Sequence, residues 1–317
     1  MALQDVLAAR AGRICPADYA TDPARLARAA DFNAETLYVV GGLYGNALAL
    51  DAIEALAADE PRSVTIVFNG DAHWFDAEPG AFRDLDARLA RYPAIRGNIE
   101  CEIARAEDIG AGCGCAYPVD VSDAVVARSN AILERLKAVA GAEHRARFAA
   151  LPPALVADVG GLRVGIVHGD AASIAGWRFA RETLDAPNAV PWLNQMRAVS
   201  RVDIFASTHT CAAVMRDFPL PSGRLTVANN GASGMGNFSG ETSGLLTRIS
   251  VHPCPHTPRY GVRHGNVAVD AIAIPFDADG FLRRFDAIWP AGSPAQLSYR
   301  ARISGEGSGP PLGEALP

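Results

Sequence analysis

Four separated turns of this chain each carry a side chain able to hold a divalent cation. Asp71 follows Asn69-Gly70, Asn98 follows Gly97, His168 precedes Gly169-Asp170, and His209 sits within Ser207-Thr208-His209-Thr210. A carboxylate, an amide oxygen and two imidazoles form a mixed oxygen and nitrogen set suited to Zn, Mn or Fe. Read singly, each residue has a plainer use: the histidines as hydrogen-bonded core or turn residues, Asp71 as a helix cap after Gly70. Read together and in order, they favour one shared ion. With Asp71 as its only anion, such a site is cationic overall and attracts phosphate or carboxylate.

Side chains from distant turns meet only if strands bring the turns together, and in α/β folds sites assemble at the carboxyl ends of strands. Thr36–Val40 (TLYVV) and Ser63–Phe68 (SVTIVF) read as buried strands, ending at Gly41-Gly42 and Asn69-Gly70-Asp71. Leu155–Val159 and Leu162–Val167 read as a hairpin about Gly160-Gly161 whose second strand ends at His168. Asp203–Ala206 is a short strand ending at Ser207; Val267–Ile274 and Phe281–Ile288 read as closing strands joined by Asp277–Gly280. Between them, Asn46–Leu56, Phe82–Ala90 and, most clearly, Ser122–Ala140 carry apolar residues at helical spacing.

Residues 1–35 read as an N-terminal helical extension: a short helix, a Cys15-Pro16 turn, and a helix through Pro23–Ala30 capped by Asp22. The tail Ser304–Pro317 is rich in Gly, Pro and Ser and is expected to lack order. With no internal repeat and no break in composition, residues 1–303 are expected to form a single domain.

The order and context of these turns resemble the calcineurin-like metallophosphoesterase family, over roughly Thr36 to Ser233. That family carries a D-x-H turn, a G-D turn, G-N-H-[DE], a strand ending in H-G-D, and G-H-x-H. Here the matching positions read Gly42-Leu43-Tyr44, Gly70-Asp71, Gly97-Asn98-Ile99-Glu100, His168-Gly169-Asp170 and Thr208-His209-Thr210-Cys211, and Asn229-Asn230-Gly231-Ala232 resembles the N-P-G-S loop that often follows. The resemblance implies a four-layer α/β/β/α sandwich with two mixed β-sheets. It also implies that Asp71, Asn98, His168 and His209 hold the second of the family's two metals.

The first metal's own ligands are replaced by Gly42, Tyr44 and Cys211, so one site is lost as a unit and the other kept as a unit. Two cations about 3.5–4 Å apart repel and need anionic ligands between them, so the second can persist alone. Tyr44 and Cys211 are candidates to rebuild a different first site, because phenolate and thiolate bind metals. The family's leaving-group histidine is Ile99, which carries no proton to give. His73 is the candidate replacement acid, and Arg96 a candidate phosphate contact.

Composition narrows the partners. Hydrophobic residues make up 49% and charged residues 20% of 317, ordinary for a globular chain. A formal charge of −6 without a run of Lys or Arg argues against nucleic acid. There is no apolar stretch of membrane-spanning length and no export signal, so cytoplasmic location and reduced thiols are expected of the six cysteines. Cys113-Gly114-Cys115 suggests a metal or redox pair but is a common loop pattern, and the prolines of His252-Pro-Cys-Pro-His256 oppose a helix that would align its imidazoles. Trp74, Trp177 and Trp192 are open to packing or to lining a cleft. No G-x-S-x-G elbow, H-E-x-x-H or P-loop is present. Two functions remain: a metal-dependent phosphoric-ester hydrolase, mono- or diesterase, with a mononuclear site containing one of Mn, Zn or Fe; or a catalytically silent fold that binds a phosphorylated ligand or a protein partner.

Overall fold

The computed structural model describes residues 11–307 and 309–317. Strands β1 (Phe32–Asn33), β2 (Thr36–Val40), β3 (Val64–Phe68), β4 (Ala154–Val159), β5 (Leu162–Val167), β6 (Ile204–Ser207), β7 (Val214–Leu220), β8 (Gly223–Asn229), β9 (Gly244–Ser250), β10 (Tyr260–His264) and β11 (Val267–Ile274) form two sheets. The six-stranded sheet has the order β1-β4-β5-β6-β8-β7, the five-stranded sheet β10-β11-β9-β2-β3. Both are mixed: β5, β6 and β8 run parallel, as do β2 and β3, while β4–β5, β7–β8, β2–β9, β9–β11 and β10–β11 are antiparallel.

Alternation along the strands builds the layers. Leu37 and Val39 point inward, meeting Val164, Ile166, Ile204 and Ala206 of the other sheet in a core between the sheets. Tyr38 and Val40 point outward onto Leu50 and Ile53 of the helix Ala47–Ala58 and Leu85 and Leu89 of the helix Pro79–Leu89. On the far side, Phe205 and Val227 pack under Leu193 and Met196 of the helix Ala189–Ser200. The result is the α/β/β/α sandwich expected. A further helical cluster, including Ile132, Leu133 and Leu136 of the helix Asp123–Val139, packs with Tyr44, Trp74 and Ile99.

Three expectations need correcting. Phe281–Ile288 is not a strand but part of the helix Ala278–Ile288; the Asp277 side chain accepts the Gly280 N–H as its cap, and Phe281 and Phe285 lie one turn apart on its buried face. Pro23–Ala30 is a shorter 3-10 turn, Pro23–Ala27, although Asp22 does cap it. The tail holds a 3-10 turn at Leu312–Ala315 with Ala315 buried against the core, and Arg216 binds the carbonyls of Glu314 and Leu316. The first N-terminal helix lies mostly outside the described residues.

His73 belongs to this scaffold rather than to a reacting centre. It is fully buried, stacked on Phe82 with ring centroids 4.0 Å apart. Its Nδ1 lies 2.6 Å from Asp76 Oδ2 and its Nε2 3.3 Å from Asp86 Oδ1, while Arg147 Nε donates to Asp86 over 3.0 Å. Burial alone would depress its pKa, but the two carboxylates outweigh burial and lift it to about 9. A raised histidine stabilises the fold fully below its unfolded value near 6.5, and that contribution is lost as pH climbs through about 9. The melting temperature should therefore fall between about pH 7 and 10, and His73→Gln should flatten that slope. An unchanged slope in the variant would show the pairing to be energetically neutral.

Candidate metal centre

The parallel strands β2, β3, β5 and β6 end on one edge of the sandwich, and the sequence-identified residues sit in the turns just beyond them. Asp71 follows β3, His168 follows β5, His209 follows β6, and Asn98 opens the short helix Asn98–Ala104. All four are buried. The ligand atoms of Asp71, His168 and His209 lie within 4.8 Å of one another. His168 Nε2 is 3.0 Å from Asn98 Oδ1, 3.4 Å from Asp71 Oδ2 and 3.2 Å from His209 Nδ1.

Hydrogen bonds behind the ligands decide which atoms face the centre. His168 Nδ1 donates to the Asn69 carbonyl over 2.8 Å, leaving Nε2 as the free lone pair. His209 Nε2 donates to the Cys115 carbonyl over 3.1 Å, leaving Nδ1 free. Asn98 Nδ2 donates to the Cys113 carbonyl over 2.9 Å, so the amide oxygen points inward. With both imidazoles neutral, four acceptors face one another, and either a proton on His168 Nε2 or a cation answers them. The residues therefore fit a divalent ion, held by Asp71, Asn98, His168 and His209.

Charge follows the same logic. Burial opposes the Asp71 carboxylate, but His168, His209 and the Ile99 N–H hold its pKa below the usual range. Burial pulls His168 down, yet Asp71 and the Asn69 carbonyl carry it above the ordinary histidine value. Burial and neighbouring His168 push His209 down to about 3, so it stays neutral.

Glu100 ties the two oxygen-bearing turns together. Its buried carboxylate accepts the N–H groups of Asp71 and Ala72 at 2.9 Å and of Gly97 at 2.8 Å. Gly97 leaves room for this approach: a Cβ there would collide with Asp71 Oδ1 and His168 Cε1.

The space beside Gly42 is filled. Tyr44 Oη lies 2.6 Å from Cys211 Sγ, and the Tyr44 ring lies so close over Gly42 that a Cβ there would meet Cζ and Oη at 2.9 Å. Burial raises the pKa of both Tyr44 and Cys211, keeping them neutral. Cys211 stands outside the group of ligand atoms close enough to share one ion. The two side chains bind each other instead of rebuilding a site.

A cleft of about 290 Å³ opens beside Asp71, Asn98 and His209, walled by Trp74, Tyr117, Trp177 and Tyr299. Among the described residues Arg128 is the one Arg or Lys in its lining, and its Nε donates to Ser298 Oγ over 2.7 Å. Arg96 does not line this cleft; it faces a separate cavity. Trp192 packs on Phe179. His252 and His256 diverge, one to Glu35 and the other to the Leu56 carbonyl. Sequence reasoning missed Arg128, because a lone arginine on an amphipathic helix reads as solvated. It also missed the Cys113 and Cys115 carbonyls; the C-x-C pattern drew attention to thiols, whereas the backbone does the orienting.

Solved structures share this architecture. A hypothetical protein from Pyrococcus horikoshii OT3 is 18% identical with a TM-score of 0.57, covering 83% of this chain and 97% of that one. A metallophosphoesterase from Sphaerobacter thermophilus is 14% identical with a TM-score of 0.54, covering 86% of this chain and 100% of that one. No family model matches the sequence, and no curated protein does. The chain thus has the calcineurin-like metallophosphoesterase fold in a divergent sequence.

His168→Ala should reduce metal affinity by roughly a hundredfold or more while the circular dichroism and cooperative melting persist. Metal content equal to wild type would remove His168 from the centre.

Proposed function

We propose that the protein is a metal-dependent phosphoric-ester hydrolase working with a single divalent ion, one of Mn, Zn or Fe, on a phosphate-containing small molecule. The observation that supports it most is the convergence of four ligand atoms, with hydrogen bonds behind them that turn His168 Nε2, His209 Nδ1 and the Asn98 oxygen inward toward Asp71. A divalent ion held there supplies Lewis acidity toward a phosphoryl oxygen and lowers the pKa of a water. The protein supplies the rest. Asp71, Asn98, His168 and His209 are preset by their hydrogen bonds, so little reorganisation is needed on binding. Six unpaired cysteines support a reducing, cytoplasmic setting.

The cleft favours a diester. Its walls are mostly aromatic and aliphatic, and a single guanidinium at Arg128 complements one negative charge. A dianionic monoester would bring a second charge against apolar surface with no second Arg or Lys among the described lining residues to meet it. The aromatic walls suit an apolar ester group.

A second reading, a silent fold that only binds a phosphorylated ligand or a protein partner, is favoured by Ile99. Buried where a leaving group would need a proton, it supplies none. Esters with good leaving groups separate the two readings.

Protein purified in Mn should carry about one equivalent of metal and hydrolyse bis(p-nitrophenyl) phosphate faster than p-nitrophenyl phosphate. Arg128→Ala should raise KM about tenfold, equivalent to ~1.4 kcal/mol, with a smaller change in kcat. Metal-free protein that turns over neither ester would sink the hydrolase and leave the silent reading.

A further inference from the structure

A cavity of about 610 Å³, larger than the cleft beside the metal centre, lies between the N-terminal segment and the sandwich. Asp18 to Arg28 form one wall, Pro152, Pro153 and Ala154 another, and Val167 and His168 line it from the end of β5. Arg96 lines it too, two residues before Asn98, so the turns that carry two metal ligands also border this second space.

Its charges balance in number, three Asp against three Arg, but they are not all paired with one another. Among the acids, Asp170 is satisfied by the N–H groups of Ala172, Ser173 and Arg178 at 2.8, 3.1 and 3.1 Å, and Asp18 is paired with Arg105 at 3.1 Å. Asp22 caps the Ala24 N–H. Of the arginines, Arg28 is bound to Asp31 at 2.6 Å. Arg25 and Arg96 have no ion pair or side-chain hydrogen bond among the described residues, and Arg96 Nε is buried without a partner. A buried donor lacking an acceptor is disfavoured unless something outside the chain supplies one. Most of the remaining lining, including Leu26, Val167 and Ile174, is apolar, with Thr21, His168 and Ser173 as polar exceptions.

We propose that this cavity is a second ligand site, separate from the metal cleft, for a small organic molecule with an oxyanion head on an apolar body. Arg96, aided by Arg25, takes the head, a phosphate or a carboxylate, since a guanidinium matches either oxyanion in a two-pronged geometry. Leu26, Pro152, Pro153 and Ile174 take the body. The volume is within the range of about 300–1,000 Å³ typical of small-molecule sites. The proposal does not depend on hydrolysis at Asp71.

Calorimetry on the full-length, metal-loaded protein tests it with three probes: phenylphosphonate, phenylacetate and inorganic phosphate. At least one aryl probe should bind. Arg96→Met should weaken that binding at least tenfold and Arg25→Met several-fold, whereas His209→Ala, which disables the metal centre, should leave it unchanged. Tighter binding of phenylphosphonate assigns a phosphate head, and tighter binding of phenylacetate a carboxylate. Inorganic phosphate, lacking the body, should bind at least tenfold more weakly; equal affinity would overturn the ligand class. No binding of either aryl probe would overturn the site. So would loss of binding in His209→Ala, or wild-type affinity in both arginine variants. Because Arg25 is exposed, its variant keeps the test valid if Arg96→Met fails to fold.

Discussion

Four ligand atoms drawn together from four separate turns are the constraint around which this edge of the molecule is arranged. Placing Nε2, Nδ1, an amide oxygen and a carboxylate oxygen together in a buried space is unfavourable unless a proton or a metal ion lies among them. The surrounding structure imposes it through atoms that are themselves fixed by backbone. The Asn69 carbonyl sets His168, the Cys115 carbonyl sets His209, and the Cys113 carbonyl sets Asn98. None of the three orienting groups is a side chain, so ordinary substitution at those positions leaves the ligand orientation in place.

The same principle bears on Gly42, Tyr44 and Cys211, the positions at which the resemblance leads one to expect ligands of another cation. A second cation close by needs anions to screen the repulsion. Gly42, Tyr44 and Cys211 provide none, since Tyr44 and Cys211 are kept neutral by burial and hydrogen-bond each other. Their volume occupies space beside Gly42 that would otherwise be a polar void. Asp71 is then free to serve one ion, with the Ile99 N–H bonded to its other oxygen at 3.2 Å.

Much of the edge that bears the site was legible in the sequence, because short apolar runs closing on Gly, Asn, Asp or His mark strand ends. What escaped was governed by tertiary context. β9 (GLLTRIS) contains Arg248, which reads as a surface charge. In the structure Arg248 is buried against Glu60 at 2.5 Å and Asp270 at 3.3 Å, with Tyr38 Oη donating to Glu60, so a central strand carries a guanidinium. β7 carries Pro219 in an interior position, tolerated because β7 is the edge of its sheet. Phe281–Ile288 was misread because an apolar run of that length fits either period, and the deciding signal was the cap at Asp277. The cleft wall was only partly legible: Trp74 and Trp177 were marked, while Arg128 and Tyr299 enter from helices whose packing no local pattern reveals.

Backbone shape also explains why the path of these turns does not depend on the side chains at their tips. Tyr44, Asp71 and Cys211 all have left-handed φ, at 56°, 53° and 55°, and Gly42 has 63°. For residues with a Cβ this conformation is disfavoured by about 1–2 kcal/mol and persists only where neighbours demand it. Here they do. The Gly42 N–H donates to the Gly70 carbonyl at 3.2 Å, Ser233 N–H to Gly41 at 2.9 Å, and Thr208 Oγ1 to Gly231 at 2.8 Å, knitting four turns into one network. Asn230 adds bonds to Gly41 and Leu245. A loop held by its own amides and carbonyls keeps its path when a side chain at its tip is exchanged. Asp71 is therefore placed by β3 and by Glu100, which accepts its N–H, rather than by the Tyr44 and Cys211 side chains.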